Sequence, residues 1–153
     1  MDGIKLADTN KKAYHDYFIE DTYEAGIVLV GSEVKSVRGG HISLRDGFVI
    51  FKGGQALLVN CHIAPYEKGS YFNTEARRTR VLLLNKAEIN KLRGKVETKG
   101  YTVVPTKAYF KGGRLKIEIG LAKGKELRDK RKDIAERDVK RDMDRAIKQY
   151  NRR

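Results

Sequence analysis

Glu20, Asp21 and Glu24 form the densest acidic group in the first 122 residues of the chain, and a metal-dependent nuclease would use such a set to hold its cation. Alternation along an extended segment puts Glu20 and Glu24 on one face and Asp21 on the other, so the solvent-facing residues of an edge strand account for the group without chemistry. His15, His41 and His62 lack the paired spacing of a metal site or a catalytic triad. The paired glycines fit hairpin turns, not the strand-to-helix setting of a phosphate loop. No catalytic constellation, metal site or cofactor is therefore expected, and the chain does not read as an enzyme. The basic clusters are more telling. Arg77, Arg78 and Arg80 precede the apolar run Val81-Leu82-Leu83-Leu84, and Lys123, Lys125, Lys130, Arg131 and Lys132 follow the last predicted strand. Guanidinium and ammonium groups in such clusters bind phosphate oxygens and displace counterions. Tyrosines at positions 14, 66, 71, 101 and 109 offer rings for base stacking, although Tyr101 and Tyr109 lie within strand patterns and suit packing better.

The whole chain agrees with a polyanionic partner. Its 153 residues hold 33 Lys and Arg against 20 Asp and Glu, a formal charge of +13, while an apolar fraction of 40% still permits one packed domain. Residues 123–153 carry +6 of that charge in 31 positions, about three times the density of residues 1–122. A single cysteine, Cys61, excludes an internal disulfide and a Cys-rich zinc site. No stretch approaches the ~20 apolar residues of a membrane span, and no apolar signal core opens the sequence, so a cytoplasmic location is expected.

The elements that must position these residues read as mostly strands. Two β-rich runs, 48–52 and 55–63, flank Gly53-Gly54, a pair suited to a tight primed turn. A second hairpin runs through residues 101–110, crosses Lys111-Gly112-Gly113 and returns through Leu115, Ile117, Ile119 and Leu121, whose strict alternation means one buried and one wet face. An earlier strand covers residues 17–30, with Gly26 at a bulge or bend. A two-turn helix starts at Asn85, with Glu88 completing a capping box, and stops at Gly94. A shorter helix follows Ser32, turning Val34 and Val37 inward before Gly39-Gly40. The expected fold is mainly β: a small antiparallel barrel of the oligonucleotide-binding type with short inserted helices over residues 1–122. Residues 123–153 form a basic tail, too poor in apolar side chains at first to order alone. Further on, Val139, Met143, Ala146, Ile147 and Tyr150 trace a narrow helical stripe. That stripe lacks Trp and Phe, and acidic residues interrupt its basic face, so it suits a partner groove better than a lipid surface.

Six strings go further. Asn10-Lys11-Lys12-Ala13 followed by His15, Tyr23-Glu24-Ala25-Gly26-Ile27, Glu33-Val34-Lys35-Ser36, Leu82-Leu83-Leu84 after Arg80, Ala122-Lys123-Gly124-Lys125, and Asp129-Lys130-Arg131 occur in that order. Together they closely resemble the SmpB, or SsrA-binding protein, family, from Asn10 to the last residue. The resemblance implies an RNA chaperone of bacterial ribosome rescue. Such a protein binds the tRNA-like domain of transfer-messenger RNA (tmRNA) and, with elongation factor Tu carrying the alanylated RNA, enters ribosomes stalled without a codon. The body stands in for the missing anticodon arm. The tail enters the decoding centre of the small subunit and the empty message channel, becoming helical there.

Carried over residue by residue, the family's RNA-facing patch falls on Asn10, Glu24 and Leu83, with a basic contact at Lys116 and a stacking or hydrogen-bonding role for His15. A carboxylate suits such a patch because it accepts hydrogen bonds from base amino groups and hydroxyls, which phosphate-seeking lysines do not. Alternation turns Leu83 away from Leu82 and Leu84, leaving it to meet an unstacked base. In the tail, which Lys123 opens, Gly124 and Lys125 correspond to the hinge, and Asp129, Lys130 and Arg131 to the decoding-centre segment. Arg128 stands where the family commonly has an aromatic ring, and its guanidinium plane can stack in the ring's stead. Val81 stands where a lysine is usual.

Overall fold

The computed structural model describes residues 4–65 and 75–125. Its elements run β1 (Ile4–Thr9), α1 (Lys11–Asp16), β2 (Tyr17–Ile27), α2 (Gly31–Arg38), β3 (Ile42–Ser43), β4 (Phe48–Lys52), β5 (Gln55–Val59), β6 (His62–Ile63), β7 (Arg80–Leu83), α3 (Lys86–Lys99), β8 (Thr102–Lys111) and β9 (Arg114–Gly124). The main sheet has the order β1-β8-β4-β5-β7-β2-β9, and β8 also pairs with β9. Six antiparallel strands thus close a ring, with β1 attached outside it to β8 and β3 pairing separately with β6. This closure is the arrangement expected for a small antiparallel fold of the oligonucleotide-binding type, and α3 is inserted before the last hairpin as the sequence predicts.

Both hairpins turn on two glycines with positive φ. Lys52 pairs with Gln55 across Gly53 and Gly54, and Lys111 with Arg114 across Gly112 and Gly113, so the second turn is one residue shorter than expected. The predicted run 55–63 breaks at Asn60, whose φ of 63° ends β5 and starts the separate β6. The alternation read in β9 is real: Leu115, Ile117, Ile119 and Leu121 are all buried. They meet Ala25, Leu58, Val103 and, from α3, Ile89 and Leu92 in one core.

Three boundaries differ from expectation. The capping box at Asn85 and Glu88 is present, but α3 passes Gly94 and ends at Gly100, whose φ is 70°. A glycine inside a helix costs only about 1 kcal/mol, and Val96 beyond it packs on the core, so the helix continues. β2 stops at Ile27 rather than 30. Among the described residues β7 pairs with it only at Gly26 and Ile27, so Glu20, Asp21 and Glu24 lie in a stretch of β2 paired on one side alone, with β9, and are exposed as the edge-strand reading expects. A register slip between Ile19 and Thr22 breaks the alternation that would give Glu20 and Glu24 one face. β9 continues to Gly124, past the boundary at 122, with Gly124 opposite Tyr17 and the Lys125 N–H donating to Asp16 O at 3.0 Å.

Three elements escaped the sequence reading, β1, α1 and the two-residue β3. Asn10 links the first two. Its side-chain oxygen caps α1 by accepting from Ala13 N at 3.1 Å, and its amide donates to Leu44 O at 3.1 Å and Pro105 O at 2.8 Å. At 2% exposure Asn10 is a hub of the fold.

Candidate nucleic-acid interface

The cationic loop expected to face phosphate is turned inward. Arg80 is fully buried, and its Nε donates to Glu33 Oε2 at 2.7 Å while its other nitrogens reach Cys61 O at 2.8 Å and Ala76 O at 3.0 Å. Arg78 donates to both Glu33 oxygens, at 2.5 and 3.0 Å. Glu33 also accepts from Val30 N at 3.1 Å, tying down the start of α2, which has no side-chain cap of its own. Burial works against ionisation of Glu33, but the bonds from Arg78, Val30 and Arg80 outweigh it and hold its carboxyl below 4.5. Arg77 bonds to Asn60 O and Oδ1. The reading of this cluster as a phosphate-binding loop is therefore corrected: a buried carboxylate, which only the string Glu33-Val34-Lys35-Ser36 hinted at, consumes two of its three charges.

The acidic trio also disperses. Tyr101 bonds to Glu20, which raises the phenol's pKa; Lys95 stands 3.9 Å from Asp21; and Glu24 belongs to a third group. Among the described residues no three His, Cys, Asp or Glu converge as metal ligands.

Glu24, Leu83 and Lys116 do converge. Gly26 of β2 pairs with Leu83 of β7 on one side and with Lys116 of β9 on the other. Lys116 in turn pairs with Tyr109 of β8, and Tyr109 with Leu6 of β1. Directly opposed residues share a face, so Leu83, Gly26, Lys116, Tyr109 and Leu6 form one outward row across five strands. Leu83 and Leu6 are 58% and 57% exposed, whereas Leu82 beside Leu83 is buried, as alternation predicts.

Glu24 borders this row. The Tyr109 hydroxyl donates to its Oε2, and Lys111 Nζ stands 3.5 Å from the same atom. The Tyr109 bond is the main reason that the Glu24 carboxyl sits below 4.5; burial opposes it, and Lys111 and Lys116 add to it. Burial, then Glu24 itself, pushes the Tyr109 phenol up. Both donors engage one oxygen, so Oε1 is left to accept from a ligand. Leu83 and Gly26 line a cavity of roughly 330 Å³ together with Ile27, Leu29, Val34, Leu115 and the two cations Arg114 and Lys116. Apolar walls, two cations and a fixed carboxylate acceptor suit a splayed nucleotide better than a duplex backbone.

The other predicted contacts lie elsewhere. Asn10 is buried, with its amide used within the fold. His15, in the last turn of α1, bonds to Asp16 at 3.1 Å near the opposite end of β2 from Gly26, roughly 25 Å along the strand. There it neighbours the start of the tail. Lys123 and Gly124 belong to β9, and Lys125 Nζ lies 5.4 Å from the Phe18 ring centroid. Arg128, Asp129, Lys130 and Arg131 lie outside the described residues, as do Tyr66 and Tyr71. The sequence reading missed Gly26, Lys111 and Leu6 as members of the strip. The two-residue spacing from Glu24 to Gly26 was the signal available for the first.

Residues 7–149 match the family model described as SmpB protein. The chain belongs to the SmpB family. Similar SmpB-type relatives include the SsrA-binding protein of Caldicellulosiruptor saccharolyticus, 54% identical over 152 residues, which are 99% of this chain and 96% of that protein. The SsrA-binding protein of Roseiflexus sp. (strain RS-1) is 57% identical over 150 residues, 97% of this chain and 95% of that one. A solved chain described as "tmRNA-SmpB: a journey to the center of the bacterial ribosome" superposes with a TM-score of 0.66 at 52% identity, covering 78% of this chain and 84% of its own.

Proposed function

We propose that this protein binds the tRNA-like domain of tmRNA and delivers it to stalled ribosomes for trans-translation. The observation that carries the reading is the outward row through Leu83, Gly26, Lys116 and Tyr109, with the Glu24 acceptor beside it, in a chain of the SmpB family. Membership supplies the class of RNA; the row supplies a surface that fits an unstacked base. Glu24 gives the surface a preference. Held ionised by Tyr109 and Lys111, it repels bare phosphate and rewards an amino group or a hydroxyl, so affinity from the excess cations becomes selective.

The body would stand in for the anticodon arm, and residues 123–153 would enter the small subunit's decoding centre and the empty message channel. His15 and Lys125, at the root of that segment, would face the same ribosomal site. Elongation factor Tu would be reached through the alanylated RNA, and the work would be done in the cytoplasm.

Competition for the protein between the isolated tRNA-like domain and an ordinary tRNA at moderate salt tests the reading. A clear preference for the tRNA-like domain is expected. Equal affinities that vanish together as salt rises would instead identify a general RNA-binding module, and magnesium-dependent cleavage of either RNA would identify a nuclease.

A further inference from the structure

Gly26 occupies a position that its backbone does not require to be glycine. Its φ lies outside the left-handed region, it is the penultimate residue of β2 and is paired on both sides, and its strand neighbours on both sides carry side chains. A glycine there weakens the strand relative to a residue with a side chain. What the absence of a side chain provides is space. A Cβ at position 26 would stand 3.3 Å from Leu83 Cβ, 3.4 Å from Cδ1 and 3.7 Å from Cγ. Three carbons of Leu83 therefore lie over the bare Cα of Gly26. Beyond them the cavity opens between Leu83 and Lys116, with Gly26 as part of its lining.

The geometry points to Gly26 as a positioning and specificity-determining residue: it lets Leu83 lie down across β2 as one apolar wall and leaves open, between that wall and Lys116, a notch for a single unstacked nucleobase. The inference rests on the proposed RNA-binding reading of the strip. Ile27, Leu29, Val34 and Leu115 supply apolar lining, while Arg114 and Lys116 stand where the flanking phosphates of a splayed nucleotide would fall. A methyl group at position 26 must push Leu83 by a few tenths of an ångström. A β-branched side chain must displace it and fill the notch, while favouring the strand itself.

The test is a double-mutant cycle on affinity for the isolated tRNA-like domain, using Gly26→Ala, Gly26→Val, Leu83→Ala and the two combinations in the full chain, with thermal melting of each free protein. Gly26→Val is expected to bind roughly tenfold more weakly, Gly26→Ala by a smaller factor, and neither to alter the slope of affinity against salt, because no charge is removed. In the Leu83→Ala background Gly26→Ala should cost little more, whereas Gly26→Val should keep only the part of its loss that comes from filling the notch. Should Gly26→Val fail to melt cooperatively, Gly26→Ala carries the cycle alone. Wild-type affinity of the position-26 variants beside a weakened Leu83→Ala would overturn the role of Gly26 and leave the strip standing. A loss from Gly26→Ala that adds fully to that of Leu83→Ala would overturn it too. Wild-type affinity of Leu83→Ala would overturn the RNA-binding reading of the strip, and this inference with it.

Discussion

Glu33 and Arg80 form an ion pair of 2.7 Å in which the two side chains are 4% and 0% exposed. The pair joins the start of α2 to the start of β7, and through Cys61 O and Ala76 O it also fixes the backbone on either side of β6. Removing one partner of such a pair leaves a buried charge without compensation, which costs about 3–5 kcal/mol. Arg80→Ala should lose that much in urea denaturation. Arg78→Ala should lose about 1 kcal/mol, because Arg78 is 28% exposed and water replaces its charge. Equal losses would mean that the bonds to Glu33 are not what makes Arg80 indispensable.

The same pair sets a pH dependence. Glu33 has its carboxyl lowered from 4.5 in the folded chain, so the unfolded state binds the proton more readily. The stability that this contributes is complete above 4.5 and falls away as pH drops below that value through the lowered folded pKa. Denaturation midpoints measured from neutral pH downwards should converge for the wild type and Glu33→Gln below that point. A gap that stays constant into acid would show that Glu33 does not titrate with unfolding.

What was legible in the sequence follows from what each signal depends on. Hairpin glycines, the Asn85 capping box and the alternation of β9 are local, and each survives in the fold. The exposure of Leu83 was legible for the same reason, since a period of two needs no partner. The charge of Arg78 and Arg80 was legible but their orientation was not, because the carboxylate that claims them is more than 40 residues away in sequence. Gly94 misled because a stop signal acts only where nothing beyond it packs, and Val96 packs. β1 was missed since its sheet partner β8 lies about a hundred residues away in sequence, and α1 since its cap Asn10 is fixed by Leu44 and Pro105 from distant parts of the chain.

Glu24 and Tyr109 make a second prediction pair on the strip. Glu24→Ala should weaken binding to the tRNA-like domain even though it makes the protein more basic. Tyr109→Phe keeps the ring and the charge of Glu24 but leaves its Oε2 with Lys111 alone, and should weaken specific binding several-fold, in line with a lost hydrogen bond to a charged group. Binding to ordinary tRNA should hold or improve with Glu24→Ala. Tighter binding to both RNAs would reduce Glu24 to a charge that the site tolerates.

Cys61 is fully buried, its thiol donates to Ser43 O at 3.4 Å, and burial pushes its pKa up to about 12. A thiol so placed has almost no thiolate near neutral pH. Alkylation by iodoacetamide should therefore be negligible in the native protein and should rise with denaturant along the unfolding curve. Ready labelling of the folded chain would place Cys61 nearer the surface than its contacts allow.

The division between body and tail can be tested at a point that β9 dictates. A cut at 122 would remove Lys123 and Gly124, which pair with Phe18 and Tyr17, together with the Lys125 N–H that donates to Asp16 O. It would unpick the end of β2 and confuse the loss of a module with damage to the fold. Truncation after Lys125 leaves all of these contacts in place, and the Lys125 ammonium still stacks on Phe18. The shortened chain should melt as the full one does and bind the tRNA-like domain through Glu24, Leu83 and Lys116 with nearly the same affinity. It should lose tagging of the nascent chain on stalled ribosomes. Loss of RNA binding in a truncated protein that still melts cooperatively would show that residues 126–153 take part in gripping the RNA, and the two tasks would then belong to one surface.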